Sequence, residues 1–179
     1  MVILTVASAK TDDLDSGRYL GLIDRYQGHP ALLMWSLGNE WNFNRYYGYE
    51  TVQQAIDATR AAAQAIKQRD ASHPVSSSLG DRFDPPAACQ PSDPCCARVA
   101  DPEKSAIPFI VQAIPEIGVW GLNVYRGTSV TDLFERWTGV TDKPFYLSEF
   151  GADSFQTQPH GYRLVGCGQA DEVIGQEDQ

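Results

Sequence analysis

Short, mostly apolar runs, the weakest of them Val75–Leu79 with its three serines, alternate along the chain with longer stretches whose apolar positions recur at helical spacing. Val2–Val6, Ala31–Leu37, Val75–Leu79, Val119–Tyr125 and Pro144–Ser148 read as strands, and none alternates cleanly between polar and apolar, as strands covered on both faces should not. Between them, Arg18–Tyr26 carries Tyr19, Leu20, Leu22, Ile23 and Tyr26 on a helical period and is stopped by Gly28-His29-Pro30. Glu50–Arg69 carries the stripe Val52, Ala55, Ile56, Thr59, Ala62, Ala63 and Ile66, with polar residues opposite. Ser105–Ile114 reads as a short helix broken around Pro108, and Ser129–Thr138 as a helix with Leu133, Phe134 and Trp137 on one face. Thr11–Ser16 reads as an acidic loop, Asn42–Tyr49 as an aromatic-rich loop and Gly80–Pro102 as a long irregular segment of the kind that is usually functional or disordered.

Strand alternating with helix predicts an α/β fold with a parallel sheet. Polar and acidic residues gather at the strand ends, which fits a (β/α)8 barrel with its active site at the C-terminal face. Only five strands are visible, whereas a whole barrel takes roughly 250 residues. The expectation is therefore an incomplete TIM barrel over residues 1–155, followed by an irregular C-terminal tail over 156–179.

At 42% hydrophobic residues the chain can build a core, which argues against disorder. A formal net charge of −9 disfavours nucleic acid and anionic membranes but costs a neutral sugar nothing. No apolar stretch is long enough to span a bilayer. Met1–Ala9 lacks a basic leader and reads as a strand, so localisation stays open. Cys89, Cys95, Cys96 and Cys167 lack metal-ligand spacing. A disulfide from Cys89 to Cys95 or Cys96 would point to export, free thiols being the alternative. No Gly-rich turn follows Val2–Val6, which argues against a phosphate or dinucleotide loop.

The chemistry lies in two segments, Trp35-Ser36-Leu37-Gly38-Asn39-Glu40-Trp41 and Pro144-Phe145-Tyr146-Leu147-Ser148-Glu149-Phe150-Gly151. Each is an apolar run delivering a glutamate to a strand end beside an aromatic. A carboxylate so placed is partly desolvated, and two sharing one pocket do not both ionise freely. That asymmetry suits glycosidic cleavage: one carboxyl protonates the leaving oxygen while the other attacks the anomeric carbon. Glu40 fits the acid/base and Glu149 the nucleophile, a helix cap or half of a surface salt bridge being the plain alternative for each, with Tyr125 donating to Glu149 or packing in the core. Asn39 offers a donor and an acceptor to a sugar hydroxyl, or satisfies a loop backbone group. Trp41, Asn42, Phe43, Tyr46 and Tyr47 read as a sugar-contacting wall or as loop packing. Asn123 clusters with Tyr125 and Arg126 at another strand end. Arg126 pairs with a carboxylate in the pocket, meets an acidic sugar, or is a plain surface arginine.

Trp35–Glu40 resembles the fourth-strand signature of the large clan of retaining glycoside hydrolases built on the (β/α)8 barrel. Leu147–Asp153 is similar to its seventh-strand nucleophile segment, and Asn123-Val124-Tyr125 to its sixth-strand segment. Within the clan the catalytic domain of glycoside hydrolase family 2 is the nearest resemblance, His29-Pro30 included, and the yeast-type β-1,3-glucanosyltransferases a weaker one. The resemblance covers about Val2–Phe155. It implies a retaining double displacement on a β-linked oligosaccharide, polysaccharide or glycoside, with no cofactor and no metal. It also implies Glu40 as acid/base, Glu149 as nucleophile, Asn39 at the sugar 2-hydroxyl and Tyr125 holding Glu149. If Val2–Val6 is the third strand, the first two strands and the family's catalytic-face arginine have no counterpart, nor does the eighth-strand tryptophan. Two other readings accompany this one: a transglycosylase using the same carboxylates, and a truncated carbohydrate-binding barrel without catalysis. Oligomeric state is not legible.

Overall fold

A computed structural model describes residues 1–7, 11–42, 45–84, 102–126, 130 and 132–151, with the backbone of 164–165 and 169–170. Five strands, β1 (Val2–Ala7), β2 (Leu32–Asn39), β3 (Val75–Gly80), β4 (Val119–Val124) and β5 (Phe145–Phe150), form one sheet in the order β1-β2-β3-β4-β5. Every neighbouring pair in it is parallel. The connections carry helices α1 (Thr11–Asp15), α2 (Tyr19–Tyr26), α3 (Val52–Arg69), α4 (Ile107–Ala113) and α5 (Leu133–Thr138). Parallel strands that neighbour each other in chain order, with helices between them, make an open, incomplete (β/α) barrel. Separately, β6 (Leu164–Val165) and β7 (Gln169–Ala170) pair antiparallel. The four cysteines lie outside the described residues. No helix among the described residues is long and apolar enough to cross a membrane.

Strand alternation sorts the side chains into two layers. Trp35, Leu37, Leu79, Trp120 and Leu122 are fully buried and join the hydrophobic core with α3 and α4. The α3 face turned to this core is the stripe Val52, Ala55, Ile56, Thr59, Ala62, Ala63 and Ile66. Its alanines let the helix lie close on β2 and β3. Thr51 starts α3 with a capping box: its side chain accepts from the Gln54 N–H while the Gln54 side chain accepts from the Thr51 N–H. The other layer is small and polar. The hydroxyls of Ser76 and Tyr146 meet at 3.1 Å, and Gly121 sits between Ser78 and Ser148.

Besides the β6–β7 pair, which falls in the tail expected to be irregular, two elements differ from the sequence reading. Thr11–Asp15 is a short helix rather than a loop, anchored by Leu14, which is buried in the core. One apolar residue in a polar stretch leaves no period to read. Pro108 does not break a helix. It occupies the first turn of α4, where an N–H has no intrahelical partner to lose.

Candidate active site

The C-terminal ends of β2, β4 and β5 build one polar cluster, and two backbone irregularities aim it. Ser36 pairs with Ser76 and Asn39 with Ser78, so β2 spends three steps where β3 spends two. The extra residue falls within Leu37-Gly38, where Gly38 holds the left-handed value φ +71°. A bulge of this kind turns the next side chain out of the strand's alternation. On β5, Leu122 pairs with Leu147 and Asn123 with Glu149, so Ser148 is the extra residue there. Asn39 and Glu149 are each the residue just past a bulge. Glu40 follows Asn39 with its own left-handed backbone, φ +49°. That conformation is uncommon for a residue with a Cβ and collects at functional sites.

Four hydrogen bonds join the cluster. Ser148 Oγ donates to Asn123 Oδ1 at 2.6 Å, and Asn123 Nδ2 donates to Asn39 Oδ1 at 3.1 Å. Asn39 Nδ2 then donates to Glu149 Oε1 at 3.1 Å, and Tyr125 OH donates to Glu149 Oε2 at 2.6 Å. Both carboxylate oxygens of Glu149 therefore accept a bond from another strand's end, one from β2 and one from just after β4. Because Ser148 and Glu149 reach the same cluster although consecutive, the bulge rather than regular alternation sets their direction.

The remaining residues singled out by sequence stand around this cluster. The Glu40 N–H donates to the Ser78 carbonyl at 3.0 Å, which ties it to β3. Trp41 and Asn42 have no exposed surface. The Trp41 indole donates to Ser77 Oγ at 3.0 Å, and Asn42 both accepts from the Gly80 N–H and donates to the Gly80 carbonyl. The expected sugar-contacting wall thus has two members below the surface, where they brace the ends of β2 and β3. Tyr46 is buried as well, and burial pushes its phenol up. Phe43 and the Tyr47 side chain lie outside the described residues. Arg126 makes a two-pronged ion pair with Asp81, one prong at 2.7 Å, and a further pair with Asp132. The hydrogen bonds it donates to Asp81 hold the guanidinium above its ordinary value against partial burial.

Sequence reasoning missed Ser148, Gly121, Asp81 and Arg82. Arg82 reaches the Asn42 carbonyl at 3.3 Å and Ser105 Oγ at 3.1 Å, and burial pulls its guanidinium down. No local pattern marks these residues, because each acts on a partner from another element. A mostly apolar cavity of about 370 Å³ lies elsewhere, between β1 and α2, lined by Val2, Leu4, Leu22, Tyr26 and His29 among others. It contains no carboxylate and is separate from the cluster.

The sequence model of the family described as "Glycosyl hydrolases family 2, TIM barrel domain" matches residues 8–163. Among solved structures, the endo-β-1,4-mannanase from Thermotoga petrophila is similar at TM-score 0.53 and 14% identity, over 85% of this chain and 42% of that one. The β-D-glucuronidase from Dictyoglomus thermophilum gives TM-score 0.46 and 22% identity, over 82% of this chain and 22% of that one. A GH2 β-galacturonidase from Eisenbergiella tayi gives TM-score 0.43 and 16% identity, over 91% and 26%. The chain thus spans less than half the length of each of these proteins. No curated protein matches the sequence. At these identities the mannanase likeness speaks for the barrel fold alone.

Proposed function

Since the chain belongs to the TIM barrel domain family of family 2 glycosyl hydrolases, we propose that it carries the reacting centre of a retaining glycoside hydrolase acting on a β-linked sugar. Glu149 attacks the anomeric carbon as Glu40 gives its proton to the departing glycosidic oxygen, which leaves a covalent glycosyl ester on Glu149. Glu40, now ionised, takes a proton from water. That water attacks the same carbon, and Glu149 departs as the carboxylate. The sugar is released with its original anomeric configuration.

The observation that carries this reading is the convergence of Asn39 and Tyr125 on the two oxygens of Glu149, with Glu40 next in sequence to Asn39. The two donors hold both oxygens of Glu149 in place from two other strand ends. Asn39 uses one N–H for Glu149 and accepts one bond from Asn123. A second N–H and a second lone pair remain within its inventory for a sugar hydroxyl. Asn123 supports Asn39 from β4. Trp41 and Asn42 act as braces of the rim, since buried side chains meet no sugar. Arg126, neutralised by two aspartates, ties the ends of β3 and β4 rather than reading an acidic substrate.

The test is turnover of a panel of chromogenic β-glycosides by the natural full-length protein and by Glu40→Gln and Glu149→Gln. Loss of at least ~10³-fold in kcat/KM is expected for Glu149→Gln, because removal of a group acting directly at the reacting atom costs this much or more. Glu40→Gln should lose most on substrates with poor leaving groups. Unimpaired turnover by both variants would sink the assignment.

A further inference from the structure

We propose that Ser148 is a positioning residue that sets the polarity of the hydrogen-bond relay ending on Glu149. The inference rests on the nucleophile reading above and adds a role for a residue outside the reacting pair. An ionised carboxylate only accepts. Asn39 must therefore turn its amide nitrogen to Glu149 and its carbonyl to Asn123. Asn123 must answer with its own nitrogen, which leaves its carbonyl facing Ser148. The hydroxyl of Ser148 donates there at 2.6 Å, its single proton closing the relay. With both ends fixed, the two amides have one orientation.

A second observation shows that space is kept for this hydroxyl. Gly121 lies beside it on β4, and a Cβ there would come within 2.9 Å of Ser148 Oγ and 2.3 Å of Ser78 Oγ. The bulge at Ser148 serves the same end, placing Ser148 and Glu149 in one cluster.

Removing the Ser148 hydroxyl leaves the Asn123 carbonyl without its donor. Both amides can then turn over together, and the reversed relay offers Glu149 a carbonyl oxygen. Only a protonated Glu149 can meet that group. Loss of Ser148 therefore favours the form of the enzyme that cannot attack. Among the described residues the other titratable and charged groups at this rim are Glu40 after β2, Asp81 and Arg82 after β3, Tyr125 and Arg126 after β4, Asp132 paired with Arg126, and Tyr146 within β5. Ser148→Ala changes none of them.

The experiment compares wild type, Ser148→Ala and Ser148→Thr in the full-length protein. It reads the pH profile of kcat/KM on an aryl β-glycoside and the side-chain amide signals of Asn39 and Asn123 by ¹⁵N NMR. In Ser148→Ala the acid limb should move up by about 1 pH unit, the size expected for a lost hydrogen bond to the charged form. The two amide signals should move with it, and Ser148→Thr, which keeps the donor, should restore both. An unmoved acid limb with unmoved amide signals in Ser148→Ala overturns the proposal, as does an equal shift in Ser148→Thr. If the wild type turns over no glycoside, or Glu149→Gln stays active, the enzymatic reading fails, and the amide signals still decide whether Ser148 orients the relay.

Discussion

Replacing Asp70 by asparagine should separate the structural end of this barrel from its chemical end. Asp70 follows α3 at the N-terminal side of the sheet, and its side chain is 3% exposed. Oδ2 accepts from the Trp35 indole at 2.8 Å and faces His73 Nδ1 at 2.7 Å, while Oδ1 accepts from the Ser72 and His73 N–H groups at 2.9 and 3.2 Å. Asparagine keeps a carbonyl for the two backbone donors but sets an NH₂ against the buried Trp35 donor. An orphaned buried donor costs ~1–3 kcal/mol, and losing the charge from the remaining bonds adds about 1 kcal/mol. Relief from burying a charge offsets part of this, so the net loss should be about 2–3 kcal/mol. For a chain of this size that lowers Tm by roughly 4–12 °C. Burial pushes the Asp70 carboxyl up, yet the bonds from Trp35, His73 and the backbone overcome it and hold it below its ordinary value. A carboxyl depressed in the folded state contributes stability above its unfolded value, about pH 3.9, and loses it as pH falls through the lower folded value. The gap between wild type and Asp70→Asn should thus be full near pH 7 and narrow below about pH 4. Urea unfolding at several pH values measures it, with kcat/KM at about 25 °C as the companion readout, expected to stay unchanged. A stability gap under ~0.5 kcal/mol at pH 7, or one that does not narrow in acid, would refute the reasoning.

Gly38→Ala should cost ~1–2 kcal/mol for a Cβ in the left-handed conformation and displace Asn39 and Glu40, lowering kcat/KM more than tenfold. Gly28→Ala, which meets nothing within 4 Å, is the matched control and should leave both unchanged. Tyr125→Phe removes the 2.6 Å donor to Glu149 and should lower kcat/KM about tenfold, limited because a partly exposed site lets water replace it. A loss of stability alone in Gly38→Ala, or full activity in Tyr125→Phe, would count against the rim geometry.

What local pattern encodes was legible in the sequence. The α3 stripe was readable because all seven of its members bury on one helical face. Four of the five strands were readable because parallel strands packed under helices carry mostly apolar runs, and β3, with three serines, was the weaker signal; β2 and β5 extend past the predicted ends to Asn39 and Phe150. The carboxylates stood out because a charge ends an apolar run. The bulges at Gly38 and Ser148 were not legible, since register is a property of two strands and neither strand states it alone. The same reason hid Arg126: its partners Asp81 and Asp132 lie on the β3 end and at the start of α5. Trp41 and Asn42 stayed open between a sugar-contacting wall and loop packing, because an aromatic-rich loop beside the Asn39-Glu40 segment reads alike whether its side chains face a sugar or the ends of neighbouring strands.

The most direct test of the account is the mass of the peptide containing Glu149 after incubation with activated 2-deoxy-2-fluoro-β-glycosides. Fluorine slows both formation and breakdown of the glycosyl ester, and the good leaving group restores its formation alone, so the intermediate accumulates. The account predicts one glycosyl adduct on that peptide, absent in Glu149→Gln. Turnover with no adduct and an inverted product, or an adduct carried on Glu40, would contradict it.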